Sequence, residues 1–446
     1  MSNSNHPPAR PALQVRPAPW LVFLFLATVL FFVYHDFSNA RSPLGNYDGS
    51  PDLIVGMVAE GSISRRIALI SLGIFAIATL IRHRADDRLR INGSLGWTLV
   101  AFAAWVSVSL LWAEDRSLTL TRVSVFAILC VAAVAVVRRF SLREIILWAF
   151  FTSGSYLAIG VFAEVLFGTF RPFASGYRFA GTLHPNSQGI NCAVLLLSGI
   201  AAADVEKHKR ALYRVCTLAG FVFLVLTASR TAFAAALLAL AVYLGVVSSR
   251  RAKMAMAYAL SIVFCVLLLG LGSAFLPDLK SAVMLGREDS SVGSFNGRTG
   301  IWDEISSYVQ RRPVLGYGYG GFWTPSRISE ISEAEKWGIP NSHSAYLDYL
   351  LSLGAVGLIA YVFLLSAGIR RAFRLHKLSR NSAYAFCGTL LVFCAMNGFL
   401  ESAAANPSLP MFLTLVILTW LAVTDDTHVQ RFRYLPHGAV IQAGRT

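Results

Sequence analysis

Apolar residues along this chain come in blocks of roughly 16 to 28, and within the blocks polar and apolar positions do not alternate. Blocks of that length match the ~20 residues a helix needs to cross a bilayer, and the missing alternation argues against barrel strands. The pattern predicts an all-α integral membrane protein with about twelve transmembrane helices. The spans fall near 19–35, 66–81, 95–113, 119–137, 145–167, 186–204, 211–228, 231–248, 254–275, 342–369, 383–401 and 408–424. The organisation that follows is a cytoplasmic tail at 1–18, helices 1–9 over 19–275, a large periplasmic loop at 276–341, helices 10–12 over 342–424, and a cytoplasmic tail at 425–446.

Charge then gives the chain a direction. Loops after even-numbered spans carry "RHRADDRLR", "VRRFSLR", "EKHKRALYR", "SSRRAK" and "IRRAFRLHKLSR", so most of the 39 Lys and Arg sit on one side in short loops and tails. The positive-inside rule makes that side cytoplasmic, with both termini there. The long 276–341 loop then faces out. The net charge of +15 is mostly topology signal, with some attraction to anionic membrane lipids. A nucleic-acid partner is not expected, because no soluble basic domain is present. Composition agrees with the span reading: 55% hydrophobic residues, 14% charged and a mean hydropathy of +0.58, against about 25% charged in a soluble domain.

Two features of the termini and cysteines change little. The Pro-rich stretch "MSNSNHPPARPALQVRPA" reads as a disordered tail, and span 1 followed by Ser38–Ala40 mimics a signal-peptide cleavage site. Its apolar core is long for that purpose, and the topology works with span 1 retained. All six cysteines lie within or at the ends of apolar spans, which suits packing rather than a disulfide framework or metal cluster.

The 276–341 loop is too long to be a simple connector, and it carries its own pattern. "GRTGIWDEISSYVQRRP" spaces Ile301, Trp302, Ile305, Tyr308 and Val309 as an amphipathic helix ended by Pro313. "GYGYGGFW" is a Gly/aromatic turn, and "SRISEISEAEKW" a short acidic helix. Together they predict a cap folded back on the membrane.

Polar residues concentrate in outward-facing places at membrane level. "RFAGTLHPNSQG" brings Arg178 to the start of span 6, with Pro185 and Asn186 suited to opening that helix. "LTASRTAF" puts Arg230 in a tight hairpin on the side where the positive-inside bias disfavours it; a snorkelling helix-end Arg is the plain alternative. Arg298 opens the amphipathic helix, where the macrodipole is already positive, so a guanidinium plus free amides makes a phosphate receptor. Arg311 and Arg312 complement the dipole at the other end and read as structural. "GIPNSHSAYLDYLLSLGAVG" places His343 where the cap meets span 10. Capping by Asn341 or Ser342 would set it in the first turn, kept neutral by the dipole and able to accept a proton. Glu164 and Glu401 could orient a cation or a sugar hydroxyl, and Tyr317, Tyr319, Phe322 and Trp323 either stack on sugar rings or pack. No Asp-x-Asp or His/carboxylate cluster suited to Mg²⁺ or Mn²⁺ appears on the outer face, so neither metal nor cofactor is expected.

"GRTGIWDEISSYVQRRPVLGYGYGGFW" followed by "NSHSAYLDYLLSLGAVGL" resembles the O-antigen ligase/polymerase superfamily, closest in look to exopolysaccharide polymerases of the succinoglycan type. "HPNSQG" and "TASRT" fall where that family has matching motifs, and the likeness covers roughly residues 60–420. The resemblance implies a C-type membrane glycosyltransferase of the bacterial inner membrane, metal-independent and inverting. Such an enzyme uses a polyprenyl-diphosphate-linked oligosaccharide donor on the periplasmic face. It implies His343 as base, Arg298 and Arg230 as diphosphate ligands with Arg178 beside them, and Tyr317, Tyr319, Trp323 and Glu401 as sugar contacts. The acceptor would be a second lipid-linked oligosaccharide in a polymerase, or lipid A core in an O-antigen ligase of lipopolysaccharide assembly. Other polysaccharide-assembly proteins would be further partners. The rival class is a lipid-linked-oligosaccharide flippase, which would place ionisable residues and broken helices at mid-membrane rather than at the outer interface.

Overall fold

The computed structural model describes residues 19–34, 55–56, 61–82, 91, 93–247 and 298–425. The 1–18 tail, Ser38–Ala40, the expected span at 254–275, the first part of the cap loop and all but the first residue of the 425–446 tail lie outside that set. Among the described residues the fold is helical throughout, with no strand. The helices are α1 (Pro19–Tyr34), α2 (Ile63–Arg82), α3 (Gly93–Val108), α4 (Arg116–Arg139), α5 (Leu142–Leu166), α6 (Pro185–Val205), α7 (Arg210–Leu226) and α8 (Arg230–Val247). After the undescribed stretch come α9 (Arg298–Arg311), α10 (Pro325–Glu335), α11 (Ala345–Ser379), α12 (Ser382–Asn397) and α13 (Leu409–Val423).

Several helix starts follow from local chemistry. The Asp115 side chain accepts the Leu118 N–H at 2.9 Å to begin α4, and Ser141 with Glu144 forms a capping box at α5. Asn381 and Ser408 cap α12 and α13 in the same way, and Pro185 sits in the first turn of α6, where its missing N–H costs nothing.

Seven described helices are long and apolar enough to cross a membrane: α2, α3 with its 3₁₀ extension to Leu111, α4, α5, α6, α8 and α11. Shorter apolar helices α1, α12 and α13 join them in the bundle, and α7 packs along α6. The surface makes the membrane reading physical. Ile63, Ile67, Ile70, Ile74, Ile77 and Ile81 form one helical stripe on α2, and every one is exposed. A row of bare isoleucines is stable against lipid tails and costly against water. In contrast, α6, α12 and α13 bury nearly all their residues and form the centre of the bundle.

The cap has its own core. Ile301 and Ile305 of α9, Ile328 and Ile331 of α10, and Tyr317, Phe322, Trp323 and Ile339 pack together with Leu351 of α11. Trp302, Tyr308 and Val309 pack at its margin, so the amphipathic face expected of α9 is the one that is buried. The Arg327 guanidinium lies over Tyr317 (4.7 Å) and Phe322 (4.8 Å) and pairs with Glu114 just before α4. Arg312 lies 4.9 Å from the Tyr317 ring, and Arg311 5.0 Å from that of Tyr308, as structural residues should.

The cap is fastened to the bundle at a break in α11. Gly354 adopts φ 66°, ψ −169°, a conformation essentially reserved for glycine, and it interrupts the helix after its first turns. The freed backbone groups bond to the cap: Tyr317 N–H donates to the Leu351 carbonyl and Ala355 N–H to the Pro313 carbonyl, both at 2.8 Å. The Trp105 indole donates to the Leu353 carbonyl at 3.3 Å. Irregular backbone at this level is tolerable because protein partners replace the missing intrahelical bonds. The break therefore lies near the cap end of α11 and serves docking. Gly354→Ala would drive its Cβ into the Val314 carbonyl and also strain φ, so it is expected to cost roughly 2–4 kcal/mol. Thermal unfolding in detergent checks this; an unchanged midpoint would refute the docking role.

Candidate functional site

The sequence-predicted cations come together at the cap end of the bundle through one carboxylate. Glu401 follows α12, and its Oε1 accepts from the Arg298 guanidinium at 2.8 Å and from Asn186 Nδ2 at 2.9 Å. Asn186 Oδ1 accepts in turn from Arg178 at 2.7 Å. The relay Arg178–Asn186–Glu401–Arg298 thus links the loop before α6, the start of α6, the loop after α12 and the start of α9. Glu401 was expected to orient a cation or a sugar hydroxyl; in the structure it binds the Arg298 cation. Arg298 and Glu401 are both buried, and burial raises the Glu401 carboxyl above the usual range while Arg298 and Asn186 pull it back down.

Each arm of the relay is held from behind. Arg178 Nε donates to the Thr227 carbonyl at 3.1 Å, which ties it to the turn that carries Arg230. That turn packs against α6 at Gly189, so the first residue of α8, Arg230, stands beside the same helix end. Glu164, near the end of α5, is spent on structure. Its Oε1 accepts the Ala180 and Gly181 N–H groups (2.9 and 2.7 Å), and its Oε2 accepts the Tyr177 hydroxyl at 2.5 Å. Gly181, at φ 57°, lies so close to α5 that a Cβ would meet Gly160 Cα at 2.7 Å. The loop that presents Arg178 is therefore clamped to α5 by a carboxylate and two glycines.

His343 differs from expectation in an informative way. Neither Asn341 nor Ser342 caps α11; Ser344 does, and the helix begins at Ala345. His343 precedes the cap, with left-handed φ 54°, rather than lying in the first turn. Local sequence could not choose between the serines. Tertiary contacts choose: Ser342 N–H donates to Asp348 Oδ1 at 3.1 Å, its carbonyl accepts from the Trp302 indole at 2.9 Å, and Ala345 N–H donates to the Gly398 carbonyl at 2.9 Å. His343 N–H donates to Asn341 Oδ1 at 3.0 Å, and its ring centroid lies 5.5 Å from that of Trp337. Its Nε2 is buried and has no hydrogen-bond partner among the described residues. Burial, then the fields of Arg298 and His184, push the imidazole down to about 3, so it is neutral at pH 7. Neutrality was expected from the helix dipole; burial and neighbouring cations produce it.

The aromatic residues divide. Tyr317 is a packing residue: its hydroxyl donates to the Tyr308 carbonyl at 3.0 Å, and Arg312 and Arg327 lie over its ring. Phe322 is wholly buried. Tyr319 and Trp323 are also largely buried but line a cavity beneath the cap. Sequence reasoning treated Asn186 as a helix opener and overlooked its bridging role, for which a start-of-helix Asn gives no separate signal. It also overlooked Arg122, whose signal was its place inside an apolar span.

Residues 215–362 match the model of a family described as O-antigen ligase. The matched stretch runs from α7 into α11 and takes in Arg230, Arg298 and His343, while Arg178 and Glu401 lie outside it. The resemblance to the O-antigen ligase/polymerase superfamily therefore holds over the cap and its flanking helices. A comparison with curated proteins finds no match.

Removing Glu401 would leave the buried Arg298 without its carboxylate. Glu401→Ala is expected to destabilise by about 3–5 kcal/mol, seen as a lower melting temperature in detergent. An unchanged melting temperature would mean that the relay does not hold the site together.

Proposed function

We propose that this protein is a polysaccharide polymerase of the inner membrane. It transfers an oligosaccharide from a polyprenyl diphosphate carrier to an acceptor sugar hydroxyl on the periplasmic face, in exopolysaccharide synthesis. The observation that carries the reading is the buried, unpartnered Nε2 of a neutral His343 beside Arg298, within the stretch that matches the O-antigen ligase family. In the Nδ1–H tautomer that nitrogen offers a lone pair. The acceptor hydroxyl oxygen attacks the anomeric carbon while Nε2 takes its proton. The bond from the anomeric carbon to the carrier oxygen breaks, its electron pair leaves with the diphosphate, and configuration inverts. Arg298, Arg178 and Arg230 stabilise the departing charge, a preorganised electrostatic effect of the kind that dominates such steps. General-base help is worth typically about 10²–10⁴-fold.

An imidazole held near 3 is a weak base in the empty site, and a bound donor relieves the part of that shift that comes from Arg298. Bound diphosphate offsets the Arg298 field that helps lower His343, so the base strengthens once the donor is seated. The reading therefore favours donor binding before proton transfer. Because the free-enzyme imidazole stays neutral as pH falls through its ordinary value of 6.5, kcat/KM should show no acid limb there. A limb near 6.5 that disappears in a His343 variant would refute this environment.

The family that residues 215–362 match favours a second reading, an O-antigen ligase, whose acceptor would be lipid A core. A deletion strain separates the two by gel: loss of high-molecular-weight secreted polymer supports the polymerase, and loss of long lipopolysaccharide the ligase. A strain that makes both normally but accumulates carrier-linked repeats on the cytoplasmic side would instead indicate the flippase.

His343→Asn is the informative replacement, since Asn tolerates left-handed backbone better than Ala. It should melt like the wild type yet abolish polymer from lipid-linked oligosaccharide. Arg298→Lys should lose at least about tenfold in rate, because bidentate diphosphate recognition is geometric. Wild-type turnover by His343→Asn would overturn the base assignment. For the sidedness, a phosphatase reporter fused after Trp337 should be active and one fused after Arg380 inactive. The reverse pattern would place the site on the cytoplasmic side.

A further inference from the structure

A second cation stands apart from the relay. Arg122 lies in the second turn of α4, about 9 Å along the helix from its capped start. That start faces the cap, since Glu114 N–H donates to the Tyr317 carbonyl and the Glu114 carboxylate pairs with Arg327. Among the described residues Arg122 has neither a hydrogen bond nor an ion pair. Arg65 at the start of α2 lies close enough to repel it, which raises the positive potential further. An ionisable side chain at this depth in an apolar helix is expensive unless it faces a partner or a cavity. Arg122 faces a cavity, whose walls include Tyr319, Trp323, Pro340, Asp348 and Asn406. Asp348 does not neutralise it. No ion pair joins the two, and Asp348 Oδ1 is engaged by the Ser342 N–H and the Trp323 indole, both at 3.1 Å.

The cavity adjoins the proposed catalytic histidine. Pro340 is in its wall, Ser342 is tied to the Asp348 that lines it, and His343 follows, close enough to Arg298 to feel its charge. The 340–344 segment thus connects the cavity wall to the histidine that the arginine relay acts on. The walls of the cavity combine aromatic surface, an amide, the Asp348 carboxyl held by Ser342 and Trp323, and a guanidinium unpaired among the described residues, a set suited to a glycan whose oxyanion lies at Arg122.

We propose that the Arg122 cavity is the acceptor subsite, and that it holds an oxyanion of the acceptor, either a carrier phosphate or a sugar carboxylate. This rests on the transferase reading above. It places the oxyanion of the acceptor beside the segment that carries His343, three residues along the chain from Pro340 in the cavity wall. It also gives Tyr319 and Trp323 a sugar-facing role that Tyr317 lacks.

The test reads Arg122 directly. The purified full chain in detergent is treated with phenylglyoxal, and modification of each arginine is followed by peptide mass spectrometry. The probes are inorganic pyrophosphate, methyl β-glucuronide and neutral methyl β-glucoside. One or both anions should slow Arg122 modification by roughly tenfold, the value of a charge-assisted hydrogen bond, while methyl glucoside leaves it unchanged. Protection by pyrophosphate alone identifies the carrier phosphate as the source, and protection by the glucuronide alone a sugar carboxylate. No protection by either anion, equal protection by the neutral sugar, or an Arg122 that never reacts would overturn the subsite. Arg122→Gln should melt at or above the wild-type temperature, because it removes an uncompensated, half-buried cation; a marked drop would show a structural role instead and also overturn it. Loss of polymer in His343→Asn with no protection at Arg122 would sink the subsite and leave the transferase standing. The converse result would leave an oxyanion site without the transferase.

Discussion

The Glu401 carboxylate is the point on which the geometry of the site depends. One oxygen accepts from Arg298 and Asn186, and through Asn186 it reaches Arg178. Four separate parts of the chain meet there, two of which carry like-charged guanidinium groups that would otherwise repel. A carboxylate in a low-dielectric setting can hold them in place only if its hydrogen bonds are made, and at Oε1 they are. What results is a concentration of positive charge at one end of the bundle, kept rigid by burial.

The rest of the cap end serves to keep that arrangement and its histidine in place. Glu164 clamps the Arg178 loop to α5, and the Gly354 break lets the cap bond to α11 where a continuous helix would offer it no free backbone groups. His343 sits where these constraints meet, on a left-handed residue fixed by bonds on both sides. Left-handed backbone at a non-glycine residue costs about 1–2 kcal/mol and persists only where the surroundings over-determine it. The surrounding bonds therefore hold the His343 backbone in place, and among the described residues its Nε2 has no hydrogen-bond partner.

The described helices, the amphipathic face of α9 and the Gly/aromatic turn were legible in the sequence. Each depends on a local rule: apolar block length for the helices, a three-to-four-residue period for Ile301 and Ile305, glycine spacing for the turn. These rules need only neighbours along the chain, and a helix satisfies its own backbone bonds, so its existence does not wait on tertiary contacts.

Tertiary structure alone decided how those pieces combine. Which of Ser342 and Ser344 caps α11 depended on bonds from Asp348, Trp302 and Gly398, residues distant from one another in sequence or on other elements. Whether Glu401 meets a sugar or an arginine, and whether Tyr317 stacks or packs, depended on which surfaces were left after the cap docked. Arg122 was visible in the sequence as a charge in an apolar span, but its lack of a partner was not. The reason is physical: propensity and periodicity act over a few residues, whereas burial and hydrogen-bond pairing are settled by whatever the fold brings to the same few ångströms.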